Sequence, residues 1–247
     1  MNEYCIALTS RYGNFMMDKF DEQQPAHIQT YGIPHIHQEI DFVTNIVDKL
    51  PDGSVFVDVG GNIGLFSIPV AKKLAEKNGK VYSFEAQRIF YYMLAGNVAL
   101  NNLTNMYAYN LAVSDKEEWL QIPLVDYFSK NDFGTVTFKD TPSVDNTFIG
   151  QDKVKTILLD DLGLDRLDMM KIDVEGMETN VLNGAKNSIA KFRPLVFIEY
   201  FLAKPEDGLQ EFFIERDYNI FVADRQNWLC VPKEKTTYMP KYLTQVA

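Results

Sequence analysis

Residues 55–64 read VFVDVGGNIG, an apolar run that enters a glycine-rich turn at Gly60, Gly61 and Gly64. Val55, Phe56 and Val57 have strand character, and an amphipathic helix over residues 65–76 leaves the turn. Strand, glycine turn and helix in that order form the nucleotide-binding start of a doubly wound α/β sheet. A nicotinamide fingerprint spaces its glycines G-x-G-x-x-G so that bare backbone N–H groups meet a pyrophosphate. Here Asp58 stands where the first glycine is needed, giving D-x-G-x-x-x-G. A fixed carboxylate at that point repels phosphate and suits a ligand with an ammonium, a sulfonium and no phosphate. S-adenosylmethionine has that chemistry.

The rest of the chain continues the alternation. A helix over 38–50 precedes the first strand and stops at Pro51-Asp52-Gly53. Strands are expected at 80–84, 106–113, 169–174 and 195–200, with helices at 88–100 and 178–191 between them. Such β-α-β-α order predicts a mostly parallel sheet covered on both faces. Runs at 218–222 and 228–231, parted by Asp224-Arg225-Gln226-Asn227, read as a terminal antiparallel hairpin. Pro69 falls early in the helix after Gly64 and should bend or delay it. Residues 114–161 break the rhythm with far more chain than a strand-to-helix connection uses, including a strand pattern at 134–138. An insertion there would overhang the ligand crevice and select the substrate. The 247 residues are expected to form one domain: a lead-in at 1–53, a core at 54–232 carrying the insertion, and a tail at 233–247.

Charge narrows the partners. A net charge of −10 without a Lys/Arg cluster argues against a nucleic-acid surface. The longest apolar stretch, LVFIEYFLA from Leu195, is too short to span a bilayer. Cys5 and Cys230 make neither a metal spacing nor a disulfide framework. Residues 1–24 have no signal-peptide core, so a cytoplasmic protein is expected.

Acids mark the chemistry. Glu85 closes the second strand, where a carboxylate accepts hydrogen bonds from ribose hydroxyls. The fourth strand ends in KIDVEGME, with Lys171, Asp173 and Glu175 on one side by alternation, and Glu199 ends the fifth. Three carboxylates therefore converge on the ligand-binding edge of the sheet, as a general base for a hydroxyl or as an oxygen-rich Mg²⁺ or Ca²⁺ site. Glu178 also suits a helix start, where negative charge is favourable. His35 and His37, in PHIHQE, are candidate proton acceptors or substrate contacts over the site.

The series VDVGGNIGLFS, VYSFEAQ, NVALNN, NLAVSD, LLDDL, MKIDVEGMETNVLNGA and PLVFIEY resembles the FkbM-type methyltransferases. The resemblance spans roughly residues 54–200 in order. It implies a class I, Rossmann-like adenosylmethionine fold and O-methylation of a sugar, glycan or other small hydroxylated metabolite, with S-adenosylhomocysteine as the second product. Residue by residue, it implies that Asp58, Gly60, Asn62 and Gly64 hold the methionine end and Glu85 the ribose. Ala86 and Gln87 would border the adenine, and Ala112 and Ser114 would flank it. Asp173, Glu175 and Glu199 would lie near the transferred methyl. Glu175, just past the strand end, is the expected base, with His35 or His37 next in line. Gly61 replaces the family's usual alanine and Ala86 its usual proline.

Two other readings compete. One is a fold that binds the cofactor without turnover, although unpaired acids gathered at one edge favour an enzyme. The other is a metal-dependent O-methyltransferase. Such enzymes place a lysine three residues after their first acid, where this chain has Gly176, so Mg²⁺ is not favoured and no metal ligand is assigned.

Overall fold

The computed structural model describes residues 3–130, 148–200, 207–238 and 243–246. It opens with a hairpin, β1 (Cys5–Ser10) and β2 (Gly13–Asp18), then helices α1 (Gln24–Tyr31) and α2 (His37–Val47). The sequence reading gave this lead-in only the second helix. Then follow β3 (Val55–Val59), α3 (Ser67–Ala75), β4 (Lys80–Phe84), α4 (Arg88–Leu100) and β5 (Met106–Tyr109). Pro69 is the third residue of α3, which starts two residues later than expected. Its missing N–H lies in the first turn, where no intrahelical acceptor exists.

Two expected elements are broken. The strand expected over 106–113 splits into β5 and β6 (Ala112–Val113). Between them, Asn110 Nδ2 donates to the carbonyls of Glu85 and Ala86 at 2.9 and 3.0 Å, tying the chain to the end of β4. β6 then joins β7 (Trp119–Val125) and β8 (Phe148–Ile157) in a separate three-stranded sheet in the order β6-β8-β7. The strand expected at 134–138 lies outside the described residues. After β9 (Met169–Ile172), the helix expected over 178–191 is two, α5 (Glu178–Gly184) and α6 (Lys186–Phe192). Asp160, in the LLDDL segment, supplies the second start by accepting from the N–H groups of Asn187 and Ser188 at 3.0 and 2.7 Å.

β10 (Leu195–Glu199), α7 (Leu209–Ile214), β11 (Tyr218–Val222), β12 (Asn227–Pro232) and β13 (Thr244–Gln245) complete the order. The main sheet runs β13-β11-β12-β10-β9-β3-β4-β5. From β10 to β5 every pairing is parallel, while β12 is antiparallel to β10 and to β11, as the terminal hairpin required. Both faces are covered. Phe56, Val81, Met169 and Phe197 pack in the core that includes α2, α3 and α4. Val57, Met170, Val196 and Ile198 pack in the core that includes α5, α6 and α7. The order in which strands are added reverses at β3, whose neighbours are β4 on one side and β9 on the other. The carboxyl ends of those strands open a crevice at that switch point.

Candidate active site

A cleft of about 410 Å³ occupies the crevice. Its floor is the turn after β3, where Gly60 takes φ +81 and passes so close to β9 that a Cβ would lie 1.8 Å from the Asp173 carbonyl. Only glycine fits there. Asn62, with φ 48, continues the turn. At the end of β4, Glu85 is buried and grips that turn from the side. Its carboxylate accepts from the N–H groups of Asn62 and Gln87, both at 2.7 Å. Burial raises its pKa to about 7 against those two donors.

Strand alternation decides what faces the cleft. Asp58 shares its face with Phe56, so it points under α3 and is 1% exposed rather than lining the cleft. One of its oxygens accepts from Ser67, and the other lies 3.6 Å from Lys171 Nζ. Ser83 pairs with Ser67 at 3.0 Å, and its hydroxyl occupies the space a Cβ on residue 61 would need. Gly61 thus accommodates this polar cluster where an alanine would meet Ser83 Oγ at 2.1 Å. Lys171 is 3% exposed, donates to Asp173 at 3.0 Å and lies 5.0 Å over the Phe66 ring. Burial works against its ammonium, but Asp173 and Asp58 outweigh it and hold the pKa above the usual lysine range.

Beyond β9 the chain turns through two left-handed residues, Glu175 (φ 51) and Gly176 (φ 97). A glutamate in that region is strained, and here the strain falls inside the crevice. Glu178 holds the turn by accepting from the N–H groups of Val174 and Gly176 at 3.3 and 3.0 Å, besides starting α5. Asp173, Glu175 and Glu199 come together as the sequence suggested, each offering an oxygen within 4.8 Å of the others. Asp173 has its lysine. Glu199 Oε2 is buried with no hydrogen-bond partner among the described residues. Burial, then the charges of Asp173 and Glu178, push Glu199 up to about 8.

Gly60, Asn62, Glu85, Ala86, Gln87 and Ala112 line the cleft, whereas Gly64 and Ser114 do not. Gly64 packs beside Leu94 and Ile68. Ser114 is buried under α5, its carbonyl against Gly184. His35 and His37 are not brought to the cleft either. Their rings gather on His27, at 5.6 and 6.0 Å between centroids, while Ile36 and Glu39 take the cleft-facing positions. The sequence reading missed Asp18, Asp21 and Glu39 from the lead-in and Gln226 and Asn227 from the β11–β12 turn. An acid directly after the buried residues of GNFMMD was the available signal for Asp18.

Residues 58–227 match the methyltransferase FkbM domain. This chain belongs to the FkbM methyltransferase family. Methyltransferase sdnD of Sordaria araneosa is 29% identical over 60% of this chain and 67% of its own length. Methyltransferase 1 of Beauveria bassiana is 25% identical over 84% of this chain and 88% of its own. The fold resembles the crystal structure of methyltransferase FkbM from Methylobacillus flagellatus, with a TM-score of 0.53 and 18% identity over 74% of this chain. The matched part is 44% of that longer protein.

The methyl donor of this family, S-adenosylmethionine, suits the cleft. Among the described residues, seven acids line it (Asp18, Asp21, Glu39, Glu85, Asp173, Glu175 and Glu199) against one cation, Lys171. Asp18 and Glu199 each carry a buried oxygen without a hydrogen-bond partner among the described residues. A ligand bearing cations, hydroxyls and an amine supplies what such a cleft lacks.

The same acids make the ligand-free protein sensitive to pH. Glu85 and Asp18 are raised to about 7 and Glu199 to about 8. The folded state therefore keeps protons that an unfolded carboxyl releases near pH ~4. Stability should fall as pH rises from about 4 to about 8 and level off above, by several kcal/mol in all. Urea midpoints at pH 5 and pH 8 test this, and equal midpoints would contradict the burial of the three acids.

Proposed function

We propose that the protein is an O-methyltransferase acting on a hydroxyl of a sugar, glycan or other small hydroxylated metabolite. The observation that carries this reading is the group Asp173–Glu175–Glu199 at the crevice, with Glu199 raised to about 8 and its Oε2 without a hydrogen-bond partner among the described residues. A hydroxyl is a weak nucleophile and needs its proton taken as the bond to carbon forms. S-adenosylmethionine, when bound, supplies an electrophilic methyl on a sulfonium. In this reading Glu85 accepts from the ribose hydroxyls, and Ala86, Gln87 and Ala112 border the adenine. The loop from Gly60 to Asn62 shapes the methionine end, with Asp58 and Lys171 fixing it from beneath.

Glu199 Oε2 takes the acceptor's proton. Lys171 pairs with Asp173 at 3.0 Å, and Glu175 orients the hydroxyl from the strained turn. Glu199 is preferred over Glu175 as base because it combines burial with an oxygen left free for substrate. Gln226 and Asn227 face the same end and suit a polyhydroxylated acceptor, while β7 contributes Leu120 as an apolar wall. An acid-lined cleft and a negative chain disfavour nucleic acid as acceptor. No helix among the described residues is long and apolar enough to cross a membrane. The free thiols of Cys5 and Cys230 suit the cytosol.

The test is transfer of a labelled methyl from S-adenosylmethionine to a panel of sugars, polyols and hydroxylated small molecules, with amines and nucleic acid as controls. Label entering as a methyl ether is expected, with EDTA without effect. Transfer to nitrogen only would overturn the O-methylation. Loss in EDTA with recovery in Mg²⁺ would make Asp173, Glu175 and Glu199 ligands instead of base and partners.

A further inference from the structure

The matched domain begins at residue 58, yet part of the cleft wall comes from the hairpin before it. β2 is fastened to α4 by side-chain amides that act as a substitute strand. Asn14 N–H donates to Asn101 Oδ1 at 3.0 Å, and Asn101 Nδ2 donates back to the Asn14 carbonyl at 2.7 Å. Met16 and Asn97 repeat the pair at 2.6 and 3.0 Å. The fit is geometric. Residues i and i+4 of a helix stand about 6 Å apart, close to the ~6.7 Å between alternate residues of a strand.

Two residues forward along β2 thus correspond to four residues back along α4. The next step runs toward Met93 of α4, and Asp18 lines the same cleft as Glu85, Ala86 and Gln87. Burial and then the charge of Glu85 raise the pKa of Tyr127 against that of Arg88, and the charge of Asp18 adds to the rise. The Tyr127 hydroxyl lies 3.4 Å from Gln87 Oε1.

Asp18 lines the cleft and is 1% exposed. Its Oδ1 accepts from Phe20 N–H at 2.8 Å, while Oδ2 is buried with no hydrogen-bond partner among the described residues. Burial, with Asp21 and Asp126 adding to it, lifts the carboxyl to about 7. The turn after β2 uses one oxygen of Asp18 and leaves the other unused.

We propose that Asp18 is a binding residue for the adenosine half of the cofactor, its Oδ2 accepting a hydrogen bond from a ribose hydroxyl or the adenine amine. The inference rests on the S-adenosylmethionine reading of the cleft. It makes the lead-in hairpin part of the cofactor site, with the asparagine ladder as the device that positions it. An oxygen of this kind destabilises the empty protein and is satisfied when a donor arrives.

Calorimetry on Asp18→Asn with S-adenosylhomocysteine tests it, alongside thermal melting without ligand. Affinity should weaken at least about tenfold, the loss of a hydrogen bond to a charged group, while the melting temperature holds or rises. Wild-type protein should bind one of 2′-deoxyadenosine, 3′-deoxyadenosine or purine riboside more weakly than adenosine, and the variant should discriminate against that analogue less than wild type does. The analogue that behaves so identifies the donor. Unchanged affinity in the variant would overturn the proposal, as would lowered melting with intact affinity, which marks a purely structural acid. If wild-type protein does not bind S-adenosylhomocysteine at all, the cofactor reading itself has failed. Should Asp18→Asn not fold, Asp18→Ser retains an acceptor for Phe20 N–H and carries the same comparison.

Discussion

Lys171→Met should destabilise the fold by about 3–5 kcal/mol, the range seen when one member of a buried ion pair is removed and the other stays. Lys171 lies in β9, between β10 and β3 of the parallel region, 3% exposed, between Asp58 and Asp173. The two acids differ. Asp173 opens to the cleft, with its side chain 36% exposed, and water can take over from the lysine there. Asp58 is 1% exposed, and Ser67 is the hydrogen-bond donor it would have left among the described residues. The cost should therefore come mainly from Asp58. Asp58→Asn combined with Lys171→Met should recover a large part of it, because the double change removes both charges from the buried cluster. Urea unfolding of the two single variants and the double variant measures the coupling. A Lys171→Met loss below about 1 kcal/mol, within the range of exposed pairs, would mean that water already reaches the cluster.

That pair also shows where sequence reasoning reached its limit. VFVDVGGNIG identified the fold because glycine turns between a strand and a helix have few physical uses, and because β3 to β5 and β9 to β12 follow the hydrophobic pattern. The pattern could not say which way Asp58 points once helices cover both faces. Alternation along β3 carries little sequence signal when Phe56 and Val57 are equally apolar and both buried. A carboxylate read as facing a ligand instead pairs with Ser67 and Lys171 inside the core.

The breaks in the expected elements share another cause. Asn110 ends a strand through bonds to residues 85 and 86, and Asp160 starts a helix at residues 187 and 188. Neither long-range contact is written in local periodicity. The lead-in was hardest to read, since β2 is held by Asn97 and Asn101, whose spacing marks a helix face but not what it binds. The acids at the ends of β9 and β10 were legible for the opposite reason. Carboxylates are costly in strands built of Met, Ile, Val and Phe, so their presence pointed to chemistry. What separates Glu199 from Glu175 is burial and partnering, which depend on the β11–β12 turn and on the turn after β9.

Glu199→Gln should lower kcat by about 10²–10⁴, the usual contribution of a positioned general base. Affinity for S-adenosylhomocysteine should change little, because Glu199 lies at the opposite end of the cleft wall from Glu85 and Gln87. The pH profile gives the sharper result. A base must be ionised, so wild-type kcat/KM should rise with pH through the Glu199 pKa, about 8 without ligand. The cation of a bound cofactor opposes burial and stabilises the carboxylate, so the rise in kcat should come at lower pH than the rise in kcat/KM. Glutamine keeps the size and cannot take the proton, so its residual rate, owed to positioning alone, should lose this dependence. Glu175→Gln should raise KM for the acceptor with a smaller effect on kcat and an unaltered profile. If the profiles are reversed, with Glu175→Gln flat and Glu199→Gln still rising with pH, the proton goes to Glu175. Glu199 would then be the residue that orients the hydroxyl.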